Sequence, residues 1–410
     1  MSRMEAEVLI VGAGPAGAAL GIELARAGRD VLILERARFP RDKPCGDCVN
    51  PGAVRELHRL GLADRLAGLL LPGPLRGWRV EAPDGTVFQA EFGTAEDGRP
   101  LQGWAVRRSD FDAALLEEAE CAGVRVRFGV RVFEVMREGG RAAGVVSREG
   151  AAVRETRAAI VVGADGMRSV VQRRLGLGAR PPRLRKIALV GHLAEGNGSG
   201  AFGELRVRGG RTCGYAALGR GANVTVVIPE REAAGIAGRP REFLTGALSE
   251  FPQVHERVLR CGLESSVMVT GPFDLPVRRP WAAGAVLVGD AAGYYDPFTG
   301  QGIHQALRSA GLAADAIRTV LRDPAGELKA FNRYGRRLRR ELAPKRALQR
   351  VIEAVISRPF IMSRLLGGLG RQEAAAARFL RATGDLRHPG TLLDPVLWAR
   401  LLFSSIDGMR

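Results

Sequence analysis

A glycine-rich turn near the start of the chain constrains its fold more than any other feature. The apolar run 7–11 ends at Gly12-Ala13-Gly14-Pro15-Ala16-Gly17, a helical pattern follows over 18–27 with Gly28 as its stop, and a second apolar run over 31–34 leads into Glu35, 18 positions after Gly17. Strand, tight turn, helix and strand in that order open a doubly wound α/β sheet. Each residue type has a task there. Gly12 makes the turn, Gly14 lets a pyrophosphate approach the backbone, Gly17 lets helix and strand pack closely, and the first helical amides face the phosphates. A carboxylate at Glu35 can accept hydrogen bonds from both ribose hydroxyls and would repel a 2′-phosphate, so this unit predicts FAD or NAD and not NADP.

Two further strand-to-helix junctions separate those ligands. The run 285–288 leads into Gly289-Asp290-Ala291-Ala292, then Asp296-Pro297-Phe298-Thr299-Gly300-Gln301-Gly302-Ile303, then a helical stretch to about residue 321. Asp290 at a strand end can hold a ribityl hydroxyl. The amides of Gly302 and Ile303 at a helix start can stabilise negative charge on the edge of a reduced flavin, and glycines at 300 and 302 admit a flat ring. An ordinary N-cap would explain Asp290 but not those glycines. Between the two junctions, Ile160-Val161-Val162-Gly163-Ala164-Asp165-Gly166 is another strand entering a helix, with Asp165 a cofactor contact or a cap. Arg108 opens an amphipathic helix over 111–122, where it can reach a phosphate or the flavin.

Taken in order, Gly12-x-Gly14-x-x-Gly17, Arg108-x-x-Phe111-Asp112, Ala164-Asp165-Gly166 and Gly289-Asp290 through Gly302 resemble the FAD-dependent oxidoreductases of the para-hydroxybenzoate hydroxylase structural group, over about residues 5–325. Within that group, Phe39-Pro40-Arg41-Asp42-Lys43-Pro44-Cys45-Gly46-Asp47 and Phe298-Thr299-Gly300-Gln301-Gly302-Ile303 look like the geranylgeranyl reductase branch. The chain departs from the family pattern at Gln172, where an Arg is usual. It departs again at Gly214-Tyr215-Ala216-Ala217-Leu218, which lacks the Trp and Phe-Pro of the reductases and the Trp-x-Ile-Pro of the flavin halogenases.

The resemblance implies a Rossmann-type α/β FAD-binding domain with an inserted antiparallel-sheet substrate domain and a C-terminal helical appendage. It implies FAD held by Gly12, Gly14, Ala16, Gly17, Glu35, Arg36, Cys45, Gly46, Arg108, Val132, Asp165, Asp290, Pro297, Gly300, Gly302 and Ile303, and reduced by NAD(P)H or another external electron donor. The implied reaction is saturation of carbon–carbon double bonds in a hydrophobic isoprenoid or quinone-type substrate. Hydroxylation or epoxidation of an aromatic or olefinic substrate by an FAD-dependent monooxygenase is the alternative. Cys45, Tyr215, Asp296 and His304 are the candidate catalytic residues. The resemblance puts Cys45 beside the flavin as a wall residue or proton relay; for His304 a structural role such as capping a turn is preferred over one facing the pyrimidine edge.

Cys45 and Cys48 have the spacing of a redox pair but stand in a loop after a strand, not at a strand-to-helix junction. No second Cys or His pair has matching spacing, so the sequence offers no zinc site.

Period-two runs at 187–193, 202–207, 212–218 and 223–228 predict an antiparallel sheet, which 75–92 would extend to roof the flavin. The FAD-binding domain is then discontinuous, over 1–75, 104–180 and 277–325. The substrate domain takes 76–103 and 181–276, and a helical region takes 326–410. In that last region, 327–350 carries a net charge of +7, with Phe331, Tyr334, Leu338 and Leu342 on one helical face before Pro344 and a second apolar face before Pro359. Such a helix can pack on the FAD domain with a solvated basic face or rest on anionic lipid. Net charge is +17, but only 4 of the 61 basic residues are lysines, a bias of the kind GC-rich coding produces, and no nucleic-acid-binding motif is present; no nucleic-acid partner is expected. Apolar runs are broken before the roughly 18 residues a membrane span needs. Five cysteines, an odd number without framework spacing, fit reduced thiols and a cytoplasmic protein.

Overall fold

The computed structural model describes residues 4–181, 183–194, 200–264, 266–392 and 394–403. Its central sheet runs Trp281–Ala282, Ala285–Leu287, Ala152–Gly163, Ala6–Val11, Val31–Glu35, Arg125–Phe128. The pairs Val8↔Val31, Val8↔Ile160 and Gly163↔Leu287 are all parallel, so their strand ends lie along one edge. Ala6–Val11, Val31–Glu35, Ala285–Leu287 and the last residues of Ala152–Gly163 are apolar runs because both faces are covered there. The helices Pro15–Ala25 and Gly302–Arg322 pack together, and Val8, Leu9, Ile10, Leu20, Ile22 and Leu307 are fully buried. Pro15–Ala25 begins three residues before its expected start, since Pro15 presets a helical φ and lacks the N–H that a first turn leaves unbonded.

A second sheet runs Met268–Thr270, Lys186–Leu193, Ala222–Pro229, Arg211–Ala217, Phe202–Arg208, Gly77–Glu81, Val87–Glu91. Its pairs are antiparallel except Phe202–Arg208 with Gly77–Glu81, which is parallel. That exception brings residues from the first hundred into the sheet built mainly by 186–270. A small third sheet joins Cys48–Val49, Gly103–Ala105 and Gly73–Leu75.

The C-terminal helices are integral to the molecule. Glu327–Ile356 is one helix of 30 residues with Pro344 inside it, not two helices broken at the proline. Packing on both sides of the proline outweighs the missing backbone hydrogen bond: Phe331, Tyr334, Leu338 and Leu342 join the central core, Leu348 and Ile352 a satellite core, and Tyr334 donates to the Leu287 carbonyl at 2.6 Å. The helices Pro359–Arg371 and Glu373–Thr383 pack on Val87–Glu91 and enclose Phe88 and Phe92.

Candidate functional site

The glycine turn sits at the edge of the central sheet. Gly12 has φ +104°, and a Cβ there would lie 2.6 Å from the Ala164 carbonyl oxygen; a Cβ on Gly17 would lie 2.0 Å from the Gly12 carbonyl oxygen. Both glycines therefore serve close backbone contact. Gly14 differs: its nearest neighbour would be an Arg41 guanidinium nitrogen at 3.6 Å, and it faces a cavity. The first amide bonded within the helix is that of Ala18, to the Gly14 carbonyl, which leaves the Ala16 and Gly17 amides as free donors. Glu35 is held by the Ala13 amide at 2.8 Å on one carboxylate oxygen and the Ala37 amide at 2.9 Å on the other, and its remaining lone pairs can accept from hydroxyls. Arg36 beside it is exposed.

The cavity runs from this turn to the second sheet and encloses about 1490 Å³ of space, part of it continuous with solvent. Its far end is bordered by Gly300, Gly302, Ile303, Asp290, Cys45 and Gly46. A Cβ on Gly300 or Gly302 would meet nothing nearer than 3.9 Å, so both glycines leave a flat open face in front of a helix N-terminus. Among the described residues the Asp290 carboxylate has no hydrogen-bond or ion-pair partner. A cradle that side chains would fill, free amides at two helix starts and an unpartnered acid between them fit FAD laid along the cavity.

Two buried networks hold the loop that carries Cys45. The Arg108 guanidinium grips Asp112 through Nε at 2.7 Å and Nη2 at 2.8 Å, and Arg41 stands 3.4 Å from the same carboxylate. Arg108 is thus committed to Asp112 while still bordering the cavity. Asp47, in the left-handed region at φ +53°, accepts the Arg108 amide at 3.0 Å and faces His192 Nε2. Asn223 donates to Asp47 Oδ2 and to the Cys45 carbonyl, both at 2.8 Å. The Cys45 thiol is therefore presented by a clamped backbone. Cys45 and Cys48 are both free thiols. Lys43 also borders the cavity; burial first, then Arg108, pull its pKa down, and Asp290 opposes them.

Tyr215 and Tyr294 also border the cavity. Burial raises the pKa of both, most strongly for Tyr294, and the Arg257 guanidinium lies 4.6 Å over the Tyr215 ring. The structure therefore gathers Gly14, Ala16, Cys45, Gly46, Arg108, Tyr215, Asp290, Pro297, Gly300, Gly302 and Ile303 around one space. It places others apart from that wall. Asp165 accepts the Val170 amide at 2.6 Å at the start of the helix Val170–Arg174, whose N-cap is Ser169, while its neighbours Ala164 and Gly166 reach the cavity. Val132 borders a separate outer pocket with Arg131 and Arg173. Asp296 is buried behind the loop, accepting the Phe298 amide, and burial lifts its pKa to about 6. His304 is buried with its Nδ1 2.9 Å from Lys345 Nζ and 3.4 Å from Asp385 Oδ2, and burial lowers its pKa to about 4. Sequence reasoning missed Lys43, Arg41 and Trp78. Lys43 lies inside a motif that was read, but its chemistry depends on a burial no spacing reveals.

The profile of the FAD binding domain family matches residues 5–198. Over 344 residues the chain is 33% identical to the menaquinone reductase of Mycobacterium tuberculosis, covering 81% of each chain. Over 341 residues it is 30% identical to digeranylgeranylglycerophospholipid reductase 1 of Methanopyrus kandleri, covering 81% of this chain and 85% of that one. Among solved structures it resembles the myxobacterial chondrochloren halogenase, a variant FAD-dependent halogenase, with TM-score 0.77 and 26% identity over 83% of this chain and 81% of that one. A flavin-dependent brominase matches 96% of this chain and 98% of its own with TM-score 0.80 at 20% identity, a likeness of fold.

Proposed function

The chain belongs to the FAD-dependent oxidoreductases of the para-hydroxybenzoate hydroxylase group, in their geranylgeranyl reductase-like branch, and from that premise we propose that it saturates carbon–carbon double bonds of a long isoprenoid or isoprenoid-quinone substrate. The observation that carries this reading is a second chamber of about 710 Å³ lined by side chains such as Val80, Ile352, Leu365, Leu369 and Phe379. It shares Trp78, Leu205 and Phe298 with the first cavity, so an apolar chain can lie in one while its reacting end lies in the other.

When bound, FAD supplies two-electron chemistry, charged by NAD(P)H or another external donor and discharged as hydride to an alkene. The protein's share is binding, orientation and a proton. The Ala16 and Gly17 amides and the open face of Gly14 would take the pyrophosphate, Glu35 the ribose, Asp290 the ribityl chain, and the Gly302 and Ile303 amides the electron-rich ring edge. The apolar walls exclude water from the alkene. Lys43 and Cys45 border the reacting space and are the first candidates to hold the proton, with Tyr215 next.

Reading the protein as peripheral to membranes is part of the same proposal. Among the described residues no helix is long and apolar enough to cross a membrane. Arg336, Arg337, Arg339 and Arg340 are exposed on one helix, and Phe360 just beyond it is 72% exposed, a basic and apolar pairing suited to anionic lipid.

Reduced enzyme given a polyprenyl substrate in strictly anaerobic buffer should reoxidise, and the product should gain two hydrogens. Flavin that stays reduced until oxygen is admitted, with one oxygen atom from the gas in the product, would replace this reading by the monooxygenase one, which the halogenase-like fold also accommodates.

A further inference from the structure

The C-terminal helices place a buried acid beneath the cofactor loops. Asp385 is 6% exposed, with φ +59°. Its Oδ1 accepts from Lys345 Nζ at 2.6 Å and from Gln301 Nε2 at 2.8 Å, and its Oδ2 accepts from Asn50 Nδ2 at 2.8 Å and stands 3.4 Å from His304 Nδ1. Two of the three donor side chains, Gln301 and Asn50, belong to the two segments at the flavin end of the cavity. Gln301 stands between Gly300 and Gly302, and its carbonyl oxygen accepts from Thr299 Oγ1 at 3.0 Å. Asn50 follows the Cys45 to Cys48 loop by two residues and caps the next helix by accepting the Ala53 amide at 2.9 Å.

The chain is shaped for this approach. A Cβ on Gly52 would lie 2.4 Å from the Asp385 Cβ, so only glycine lets the helix Pro51–Arg59 come so near. The Gly52 amide donates to the Gly384 carbonyl at 2.8 Å, and Arg55 donates to the Asp385 carbonyl at 2.9 Å. Burying a lysine, an aspartate and two amides is costly, and an apolar cluster of equal volume would hold helices together as well. What a hydrogen-bonded polar hub adds is a fixed geometry, because its bonds are directional where apolar contacts are not.

We infer that Asp385 is a positioning residue that locks the 299–303 loop and the Cys45 to Cys48 loop at the spacing the flavin ring requires. The C-terminal helices thereby complete a cofactor site whose glycine motifs lie elsewhere in the chain. The inference concerns FAD and holds whichever substrate the enzyme takes.

The test titrates apoprotein with FAD and follows the flavin absorbance bands. Asp385→Asn keeps the acceptor facing Lys345 and Gln301 but turns an amide NH2 against that of Asn50, and should weaken FAD binding about tenfold and shift the bands. Adding Asn50→Asp reverses that donor and acceptor while keeping the cap on Ala53, and should recover most of the loss. Leu380→Ala, buried on the helix Glu373–Thr383 that leads into Asp385 but outside the hub, should lower the melting temperature and leave FAD affinity unchanged. If Asp385→Asn does not fold, Asn50→Ala removes one arm alone and should still weaken FAD severalfold. Wild-type affinity and bands in Asp385→Asn or Asn50→Ala, no recovery in the double variant, or equal FAD loss in Leu380→Ala would each overturn the assignment.

Discussion

Replacing Asp296 by Asn removes an ionisable proton without changing shape, and the new amide carbonyl can still accept the Phe298 amide that Asp296 Oδ1 now accepts at 2.7 Å. Burial lifts the Asp296 pKa from 3.8 to about 6, with Lys186 and the Phe298 amide opposing and Glu353 adding. A carboxyl with a raised native pKa binds its proton more tightly folded than unfolded. Between 3.8 and about 6 the native state holds the extra proton, so this group makes stability fall as pH rises through that window, and above it the loss is complete. At 1.36 kcal/mol per pKa unit the whole loss is about 3 kcal/mol. Asn at 296 escapes it, and subtracting wild-type from variant unfolding energies cancels every other titrating group. In urea unfolding with saturating FAD, the variant's advantage should grow by about 2 kcal/mol from about pH 4.5 to about pH 7.5. An advantage that is constant over that range, or shrinks, would refute the buried placement of this carboxyl.

Other consequences can be checked alongside. Gly12→Ala forces a Cβ against the Ala164 carbonyl at positive φ and should cost about 2 kcal/mol or more of stability, whereas Gly14→Val should fold normally and emerge colourless; similar melting temperatures for the two would contradict the division of labour in the turn. Lys43→Met and Cys45→Ala should leave flavin reduction by the donor intact, and whichever removes the proton donor should slow alkene saturation by about 10²-fold. Unchanged saturation in both would move the donor to Tyr215. Changing Arg336, Arg337, Arg339 and Arg340 together to Gln should weaken binding to anionic vesicles at low salt without loss of flavin, and equal binding by both proteins would confine the helix to packing.

What the sequence disclosed was local. Gly12, Gly14, Gly17 and Glu35 are legible because a turn, a helix start and a strand end lie within a few dozen residues, and Gly300 and Gly302 because a flat ligand demands them. Alternating runs disclosed the strands of the second sheet, but not that Gly77–Glu81 joins it in parallel beside Phe202–Arg208, since pairing partners leave no mark on either strand. The clamp of Asp47, His192 and Asn223 and the hub at Asp385 were illegible for the same reason: their members are separated by 145 and 335 residues, and each polar residue alone reads as surface. Pro344 suggested a break because propensity is local, while the packing that keeps Glu327–Ile356 continuous is not.

The strand Ala285–Leu287 pairs with Val161–Gly163, which are made more than a hundred residues earlier. During translation, at about 5–20 residues per second, that edge of Ala152–Gly163 has no parallel neighbour for several seconds at least. The nascent chain therefore carries an apolar open edge through the synthesis of the second sheet's strands between 186 and 270, a natural target for a holdase. A fragment ending soon after residue 198 would contain the matched family segment yet keep that edge and lack Asp290 and Gly302. It should aggregate without taking up flavin, because the site waits for the arrival of the last third of the chain.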